Sequence, residues 1–348
     1  MPPFGCLRFA SSFLHLLASA IVLFGLPIAA AAEDGLDTGD TAWILASTGL
    51  VLFMTIPGLA LFYGGLVRTK NVLSVLMQCL ALTGLMTVLW LAIGYSLAFD
   101  TTGMIEGQTN LHSFIGGFGR AFLTGVDSST LFGSIPEVLF FSFQGTFAII
   151  TPALIVGAFA ERMRFSAVLL FSALWLILVY APVCHMTWAG PGGFFADMGV
   201  FDFAGGIVVH ITAGVAALVA CIMIGPRKGY PKTPMAPHNL TMCVTGMGML
   251  WIGWYGFNGG SALGANGNGT VMAGIFGATA LGSNQEGLAI GSQVGVQLTA
   301  ALITAVWAGV ASYVLLKFVD AVVGLRIDEE EESIGLDLAL HDEVGYNL

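Results

Sequence analysis

The stretch DFAGGIVVHITAGVAALVACIMIG, residues 202–225, places two ionisable side chains, Asp202 and His210, on a run that is otherwise uncharged and apolar. A run of this length reads as a membrane-crossing helix, since about 20 apolar residues cross the hydrocarbon core. An ionisable group at that depth costs at least ~2.5 kcal/mol and by default marks a pore, a cavity or a proton path. His210 is therefore a candidate functional residue, the alternative being a satisfied interhelical hydrogen bond. Asp202, at the start of the run, fits a helix N-cap better than a ligand.

Composition extends this reading to the whole chain. Of its 348 residues 56% are hydrophobic and 9% charged, with mean hydropathy +0.87, too much apolar surface for a water-soluble domain to bury. The fold class is all-α, a polytopic membrane helical bundle. Apolar runs of spanning length fall at about 42–66, 71–98, 136–160, 166–187, 204–225, 240–263 and 293–317, about seven full spans. Ahead of them, Arg8, the apolar run from Phe13 to Leu26 and the small residues from Ala29 to Ala32 have the form of a secretory signal peptide, residues 1–32. An uncleaved first span is the other reading of that segment. The membrane domain then occupies 33–320 and an acidic tail 321–348.

Seven spans that start outside finish inside, and the basic residues test that orientation, because short cytoplasmic loops collect positive charge. Arg68 and Lys70, Arg162 and Arg164, Arg227, Lys228 and Lys232, and Lys317 and Arg326 all fall on the expected inner side. Arg120, in the long loop from Asp100 to Ile135, is the exception. The expected location is the cell (inner) membrane, with the N-terminus outside and the C-terminus cytoplasmic. The formal charge of -10 comes largely from the tail run that begins at Asp328. Such a run is more often a solvated, flexible face than a docking site for a regulator.

Glycine makes up 47 residues, nearly twice the average share, and much of it lies inside spans, as in GLALFYGG, GGIVVH and GFNGG. Small residues let helix backbones approach closely, so tight packing around a narrow path is expected. Polar side chains within the spans are few, and those that stand out are Gln144, Thr146, Asp202, His210, Asn258 and Ser261, with Phe143, Phe147, Trp188, Trp254 and Phe257 as aromatic company. Interhelical hydrogen bonds account for most of these polar groups. Cys79, Cys184, Cys221 and Cys243 are scattered without a CxxC pair, so neither a disulfide nor a metal site is assigned. No nucleophile constellation, metal cluster or phosphate loop is present in the sequence, and the chain is not read as an enzyme or as a cofactor carrier.

Several long motifs then occur in a fixed order: FMTIPGLALFYGGLVRTKNVLS (53–74), FQGTFAIITPALIVGAFAERMRFSA (143–167), HMTW (185–188), DFAGGIVVHI (202–211), PHNL (237–240), IGWYGFNGGSALGANG (252–267) and VGLRIDEEEESIGLD (323–337). Together they resemble the ammonium transporter family over about 41–266 and 269–348. The resemblance implies a homotrimer of eleven-span protomers, each with a hydrophobic pore and two inverted five-helix halves. It implies ammonium as substrate, membrane lipid as surroundings, nitrogen uptake as purpose, and no nucleic acid. Trp188 and Ser261 resemble an outer site that holds ammonium, with Phe147 at its floor. Phe147 and Phe257 resemble the stacked gate beneath it, and Asp202 a buried carboxylate that orders a helix start. His210 resembles the first of two pore histidines.

Carrying a bare cation through such a path has an idealised desolvation cost of order 20 kcal/mol. Releasing a proton from an ammonium ion near neutral pH costs roughly 3 kcal/mol, at about 1.36 kcal/mol per pKa unit. Deprotonation is the easier route, with neutral ammonia crossing while histidine relays the proton. The chain departs from the family after GSALGANG. It passes directly to GTVMAGIFGATALG (269–282), which resembles the end of the family's tenth span, so most of the second inverted half is absent. Val271 to Leu281 is too short to span and is expected as a re-entrant or interfacial remnant. The span with the second pore histidine is among the missing parts, and His15, His112, His185, His238 and His341 all lie away from the expected pore. The resemblance implies ammonium transport, with activity open to doubt. Its alternative is a non-transporting ammonium sensor or regulatory subunit whose tail engages PII-type proteins.

Overall fold

The computed structural model of the protein describes residues 35–265 and 290–346. The expected signal segment (1–32) and the remnant from Val271 to Leu281 lie outside the described residues. Six described helices are long and apolar enough to cross a membrane: α1 (Thr38–Leu66), α2 (Thr69–Phe99), α3 (Glu137–Phe159), α4 (Phe165–Trp188), α5 (Gly206–Ile224) and most of α7 (Ile290–Val323). The seventh expected span is α6 (Leu240–Gly260). Its 21 residues reach spanning length at about 1.5 Å each. Glycines, threonines and Asn258 make it less apolar than the other six, so length alone supports it as a span.

Two of the spanning helices begin where a side chain takes up a backbone donor that would otherwise be orphaned. Asp37 accepts from the Asp40 amide at 2.8 Å to start α1, and Asn239 accepts from the Met242 amide at 2.9 Å to start α6. Inside the bundle the polar tips of aromatic side chains find carbonyls or hydroxyls on neighbouring helices, as burial demands. The Trp90 indole donates to the Phe141 carbonyl at 3.0 Å, Tyr63 to the Leu154 carbonyl at 2.9 Å, and Trp175 to Ser312 Oγ at 3.1 Å. These bonds join α2 to α3, α1 to α3 and α4 to α7. Four spans contain a π-turn, at Met54–Leu59, Trp90–Gly94, Leu176–Tyr180 and Gly206–Ile211.

Close packing by glycine is most developed where α6 meets α1. A Cβ added to Gly256 would lie 2.6 Å from Leu50 Cβ and 2.9 Å from the Ser47 carbonyl; one added to Gly260 would lie 2.6 Å from Ser47 Cβ. Gly246 and Gly253 are equally pressed against α1, and Gly65 of α1 against the start of α6. The stripe repeats at helical spacing, so two backbones pack here with almost no side chain between them.

The long loop between α2 and α3 is ordered from its ends. Asp100 accepts from the amides of Thr102 (3.0 Å) and Gly119 (2.8 Å), and a two-residue ribbon pairs β1 (Leu131–Phe132) with β2 (Ile135–Pro136). Arg120, the basic residue at odds with the charge rule, is paired with Glu137 at 3.1 Å, and Tyr95 donates to the same carboxylate at 2.8 Å. Its charge is neutralised locally, so it exerts little pull on topology.

At the opposite, basic end of the bundle the acidic tail is docked, which corrects the expectation of a solvated, flexible face. Two short helices, α8 (Glu329–Ile334) and α9 (Leu336–His341), lie against the loops, with Glu332 and Asp337 each only 1% exposed. Glu332 takes the Arg326 guanidinium at 2.7 Å and the Lys228 amide at 2.5 Å. Asp337 accepts from the amides of Leu73 and Ser74 at 3.0 and 2.8 Å, capping a turn near the start of α2. The signal for docking was the pairing of DEEEES with basic loops distant in sequence. Composition alone carries no record of that pairing.

Beside the tail, buried Glu161 stands at φ +72°, a left-handed backbone that a non-glycine residue keeps only when its surroundings fix it. Its carboxylate accepts from the Arg68 amide at 2.6 Å and pairs with the guanidinium groups of Arg68 (2.8 Å) and Arg227 (3.2 Å). Burial by itself pushes this carboxyl up. The bonds and charges of Arg68, helped by Arg227, outweigh that and hold it below the usual glutamate value.

Gly256→Leu should lose about 1–3 kcal/mol of stability by overpacking. In detergent its thermal midpoint should fall, while Gly248→Ala, where a Cβ meets nothing within 4 Å, keeps the wild-type midpoint. For Glu161, a lowered folded value means the stabilisation is present above the ordinary glutamate value of about 4.3 and is lost as pH falls through the lower folded value. Acidification through that window should lower the wild-type midpoint. Glu161→Gln should start lower at neutral pH and lose less on acidification, and parallel curves for the two proteins would rule out this account.

Candidate functional site

The site is assembled around the irregular turn that leads into α5. Asp202 accepts from four successive backbone amides: Oδ1 from Gly205 (2.6 Å) and Gly206 (2.7 Å), Oδ2 from Ile207 and Val208 (both 2.8 Å). A carboxylate at the positive end of the helix satisfies all the donors that the first turn leaves unpaired. The geometry is that of the helix-ordering residue expected from sequence, and both oxygens are committed to the backbone. Gly205 makes the turn possible with φ +99°, and a Cβ there would fall 2.6 Å from Val209 Cγ2. Sequence reasoning did not single out Gly205; its signal was the GG pair immediately before the apolar run.

The backbone carbonyl of Asp202 has a second task. It accepts the indole N–H of Trp188 at 2.6 Å, which fixes the ring at the end of α4. With its one donor used, Trp188 offers only its π-surface to anything that approaches. Its ring meets that of buried Phe147, on α3, edge to face with centroids 5.8 Å apart. Phe147 in turn packs on Phe257, on α6, at 4.4 Å and 34°. Phe257 touches His210, on α5, at 5.9 Å and 79°. Four helices thus contribute one ring each to a continuous line, Trp188, Phe147, Phe257, His210, and Phe143 flanks Phe147 at 5.0 Å.

His210 Nδ1 lies 3.0 Å from the Gly205 carbonyl. A carbonyl only accepts, so this nitrogen carries hydrogen, and in the neutral ring Nε2 is the acceptor left for a proton or an N–H group. The ring also stacks on Trp254 at 5.6 Å and 29°, and the indole of Trp254 donates to Asn258 Oδ1 at 3.1 Å. Trp254 counted in the sequence only as aromatic company, because four-residue helical spacing does not tell which face a neighbouring helix meets. His210 is exposed and Trp254 is 41% exposed, so this end of the line is open on the chain.

The hydroxyls behave differently from expectation. Ser261, one turn beyond Phe257, donates to the Phe257 carbonyl at 2.7 Å, and Thr146 donates to the Phe143 carbonyl at 2.6 Å. Both bonds run back into the residue's own helix instead of across to a neighbour, the local option open to Ser and Thr in apolar surroundings. Ser261 is thereby tied to the Phe257 backbone with its oxygen lone pairs still able to accept. Gln144 is buried with Oε1 lacking a partner among the described residues. His185 lies among carbonyls near the end of α4, with Nδ1 3.0 Å from that of Ala98 and Nε2 2.7 Å from that of His112. Its two ring nitrogens are thus engaged by the loop side of the bundle, and it is not one of the rings in the line.

The sequence profile of the Ammonium Transporter Family matches residues 42–269 and 268–346. The chain belongs to the ammonium transporter family. It is 45% identical over 259 residues to an ammonium transporter of Aquifex aeolicus, a match that covers 74% of this chain and 57% of that protein. The chain thus spans little more than half the length of this curated relative. Against an ammonium transporter of Bacillus subtilis it is 35% identical over 411 residues, covering 88% of this chain and 98% of the relative. That alignment is longer than the 348 residues of this ammonium transporter family member, so it opens gaps within the chain. The two profile matches meet at 268–269, where the motif order breaks. Among solved structures, one named Sensor Amt Protein superposes with a TM-score of 0.75 over 87% of this chain and 98% of its own, at 20% identity, a likeness of fold.

Asp202→Ala leaves four helix-start amides without a partner and should cost about 2 kcal/mol or more. Asp202→Asn, which keeps one accepting oxygen, should cost less. Thermal unfolding in detergent orders the three proteins, and equal midpoints would remove Asp202 from its organising role.

Proposed function

We propose that this chain captures ammonium from one side of the cell membrane and passes ammonia inward along the ring line. Trp188 and Ser261 hold the cation, with Phe147 below them; Phe147 and Phe257 form the gate; and His210 takes up the released proton. The single observation that supports this most strongly is the unbroken sequence of ring contacts from Trp188 to His210. Its upper end offers a π-face suited to a cation, worth about 0.5–2 kcal/mol. Its lower end offers an Nε2 acceptor for the proton that ammonium must give up. Residues 33–320 form the membrane domain, in a homotrimer, with the N-terminus outside and the docked tail, 321–348, on the cytoplasmic face. Asp202 serves as the structural anchor and touches no substrate.

Physically, the gate excludes water and keeps the dielectric low, which makes passage of the charged ion costly and passage of ammonia cheap. In this chain the relay stops at one histidine, because the second half that would carry its partner is missing. Conduction is then slower than in a complete relative, or leaves the proton behind. Uptake of labelled methylammonium by cells without other ammonium transporters is the test. Trp188→Leu should raise the half-saturating concentration by roughly 2- to 30-fold. His210→Ala should depress the maximal rate, and wild-type rates in that variant would end the mechanism.

The exposure of His210 favours a second reading, in which the chain binds ammonium without passing it. It would then be a sensor or regulatory subunit whose tail engages a PII-type protein. Tail-dependent binding of such a protein, together with absent uptake, distinguishes this reading from the first.

A further inference from the structure

The segment that carries Asp202 is held from the far end of the sequence. Gln293 and Gln297 lie one turn apart on α7, so both amides face the same side of that helix. Gln293 Nε2 donates to the Gly199 carbonyl at 3.0 Å, and Gln297 Nε2 donates to the Phe201 carbonyl at 2.5 Å. The segment between α4 and α5 has no regular structure around these carbonyls, and an irregular backbone near a membrane must find its partners within the protein. Phe201 immediately precedes Asp202. The carbonyl of Asp202 fixes the Trp188 ring, and its carboxylate fixes the turn that presents His210.

We infer that Gln297 is a positioning residue for the ammonium site. From α7 it holds the Asp202 segment so that Trp188 and the first turn of α5 keep a common geometry. The inference rests on the proposed reading of Trp188 as the capture ring, but the mechanical link from Gln297 to residues 202–208 does not. Gln297 is paired on one side only. Its Oε1 is buried without a partner among the described residues, so its side-chain bonding there is the one its amide nitrogen makes. A methionine of similar length keeps the packing and loses that donor. The polar pair was visible in the sequence as Gln293 and Gln297 at i, i+4 within an apolar run, yet nothing there named the carbonyls they meet.

The test compares wild type with Gln297→Met and Gln293→Met in the full chain, by two readouts. The first is amide hydrogen exchange of the purified protein in detergent, read at residues 203–210. The second is the half-saturating concentration and maximal rate of methylammonium uptake. For Gln297→Met, exchange at 203–210 should rise by roughly 2- to 10-fold and half-saturation by a similar factor. The maximal rate should fall less than in His210→Ala, since the imidazole is still present on its loosened turn. Gln293→Met, whose carbonyl is two residues farther from Asp202, should shift both less. Unchanged exchange at 203–210, or acceleration spread over the whole chain, overturns the inference. So does an unchanged half-saturation in a chain that transports. If wild type moves no methylammonium, faster local exchange still supports the link and it is the transport reading that fails.

Discussion

Asp202 is the knot on which the site depends. Its carboxylate closes the start of α5 by accepting four amides, and its carbonyl holds the Trp188 indole. In water such a cap is a modest stabiliser, because the amides have another partner available. Near a membrane that partner is missing, and each unsatisfied group costs several kcal/mol. The same four bonds therefore carry more weight here than at the end of a soluble helix. They also explain how an irregular, glycine-rich turn coexists with a fixed histidine five residues beyond Gly205. The carboxylate supplies the constraint that the turn lacks.

The π-turn at Gly206–Ile211 belongs to the same device. In this stretch the amides of both Val209 and His210 reach the Gly205 carbonyl, at 3.0 and 2.9 Å, and His210 Nδ1 reaches it as well. Widening the helix by one residue rotates the side chains that follow, relative to a regular α-helix. The imidazole is thus set by two backbone features, the left-handed Gly205 and the widened turn. On the opposite side of the ring line, Phe257 belongs to the α6 helix that packs on α1 through glycines. A rigid wall on one side and a constrained turn on the other hold the line of rings between them.

Much of this was legible in the sequence, for physical reasons that also mark where legibility ends. The spans follow from apolar run length, and the observed helices track them closely, from 42–66 against Thr38–Leu66 to 204–225 against Gly206–Ile224. The N-cap character of Asp202 was readable because a cap is local, its partners lying within six residues. The docked tail was not: Glu332 meets Lys228 and Arg326, and Asp337 meets Leu73 and Ser74, pairings set by the three-dimensional fold. Gln293 and Gln297 belong to the same class. Ser261 and Thr146 misled differently, because a hydroxyl in a helix always has its own carbonyls within reach. Whether it crosses to a neighbour depends on distances that composition does not encode.

The distribution of the rings over the chain separates two tasks that a complete pore performs together. Trp188, Phe147, Phe257 and His210 stand on α4, α3, α6 and α5, all on the N-terminal side of the break in motif order at 268–269. On the proposed reading, every contact needed to select ammonium over a hydrated metal cation is therefore in this chain. A π-face and a hydroxyl acceptor select by hydrogen bonding and quadrupole attraction, neither of which needs the far wall of a pore. Passage is another matter, because beyond Phe257 the imidazole is exposed and its neighbour Trp254 is partly so. On that reading recognition belongs to the residues present, while transfer depends on what covers the exposed His210 ring.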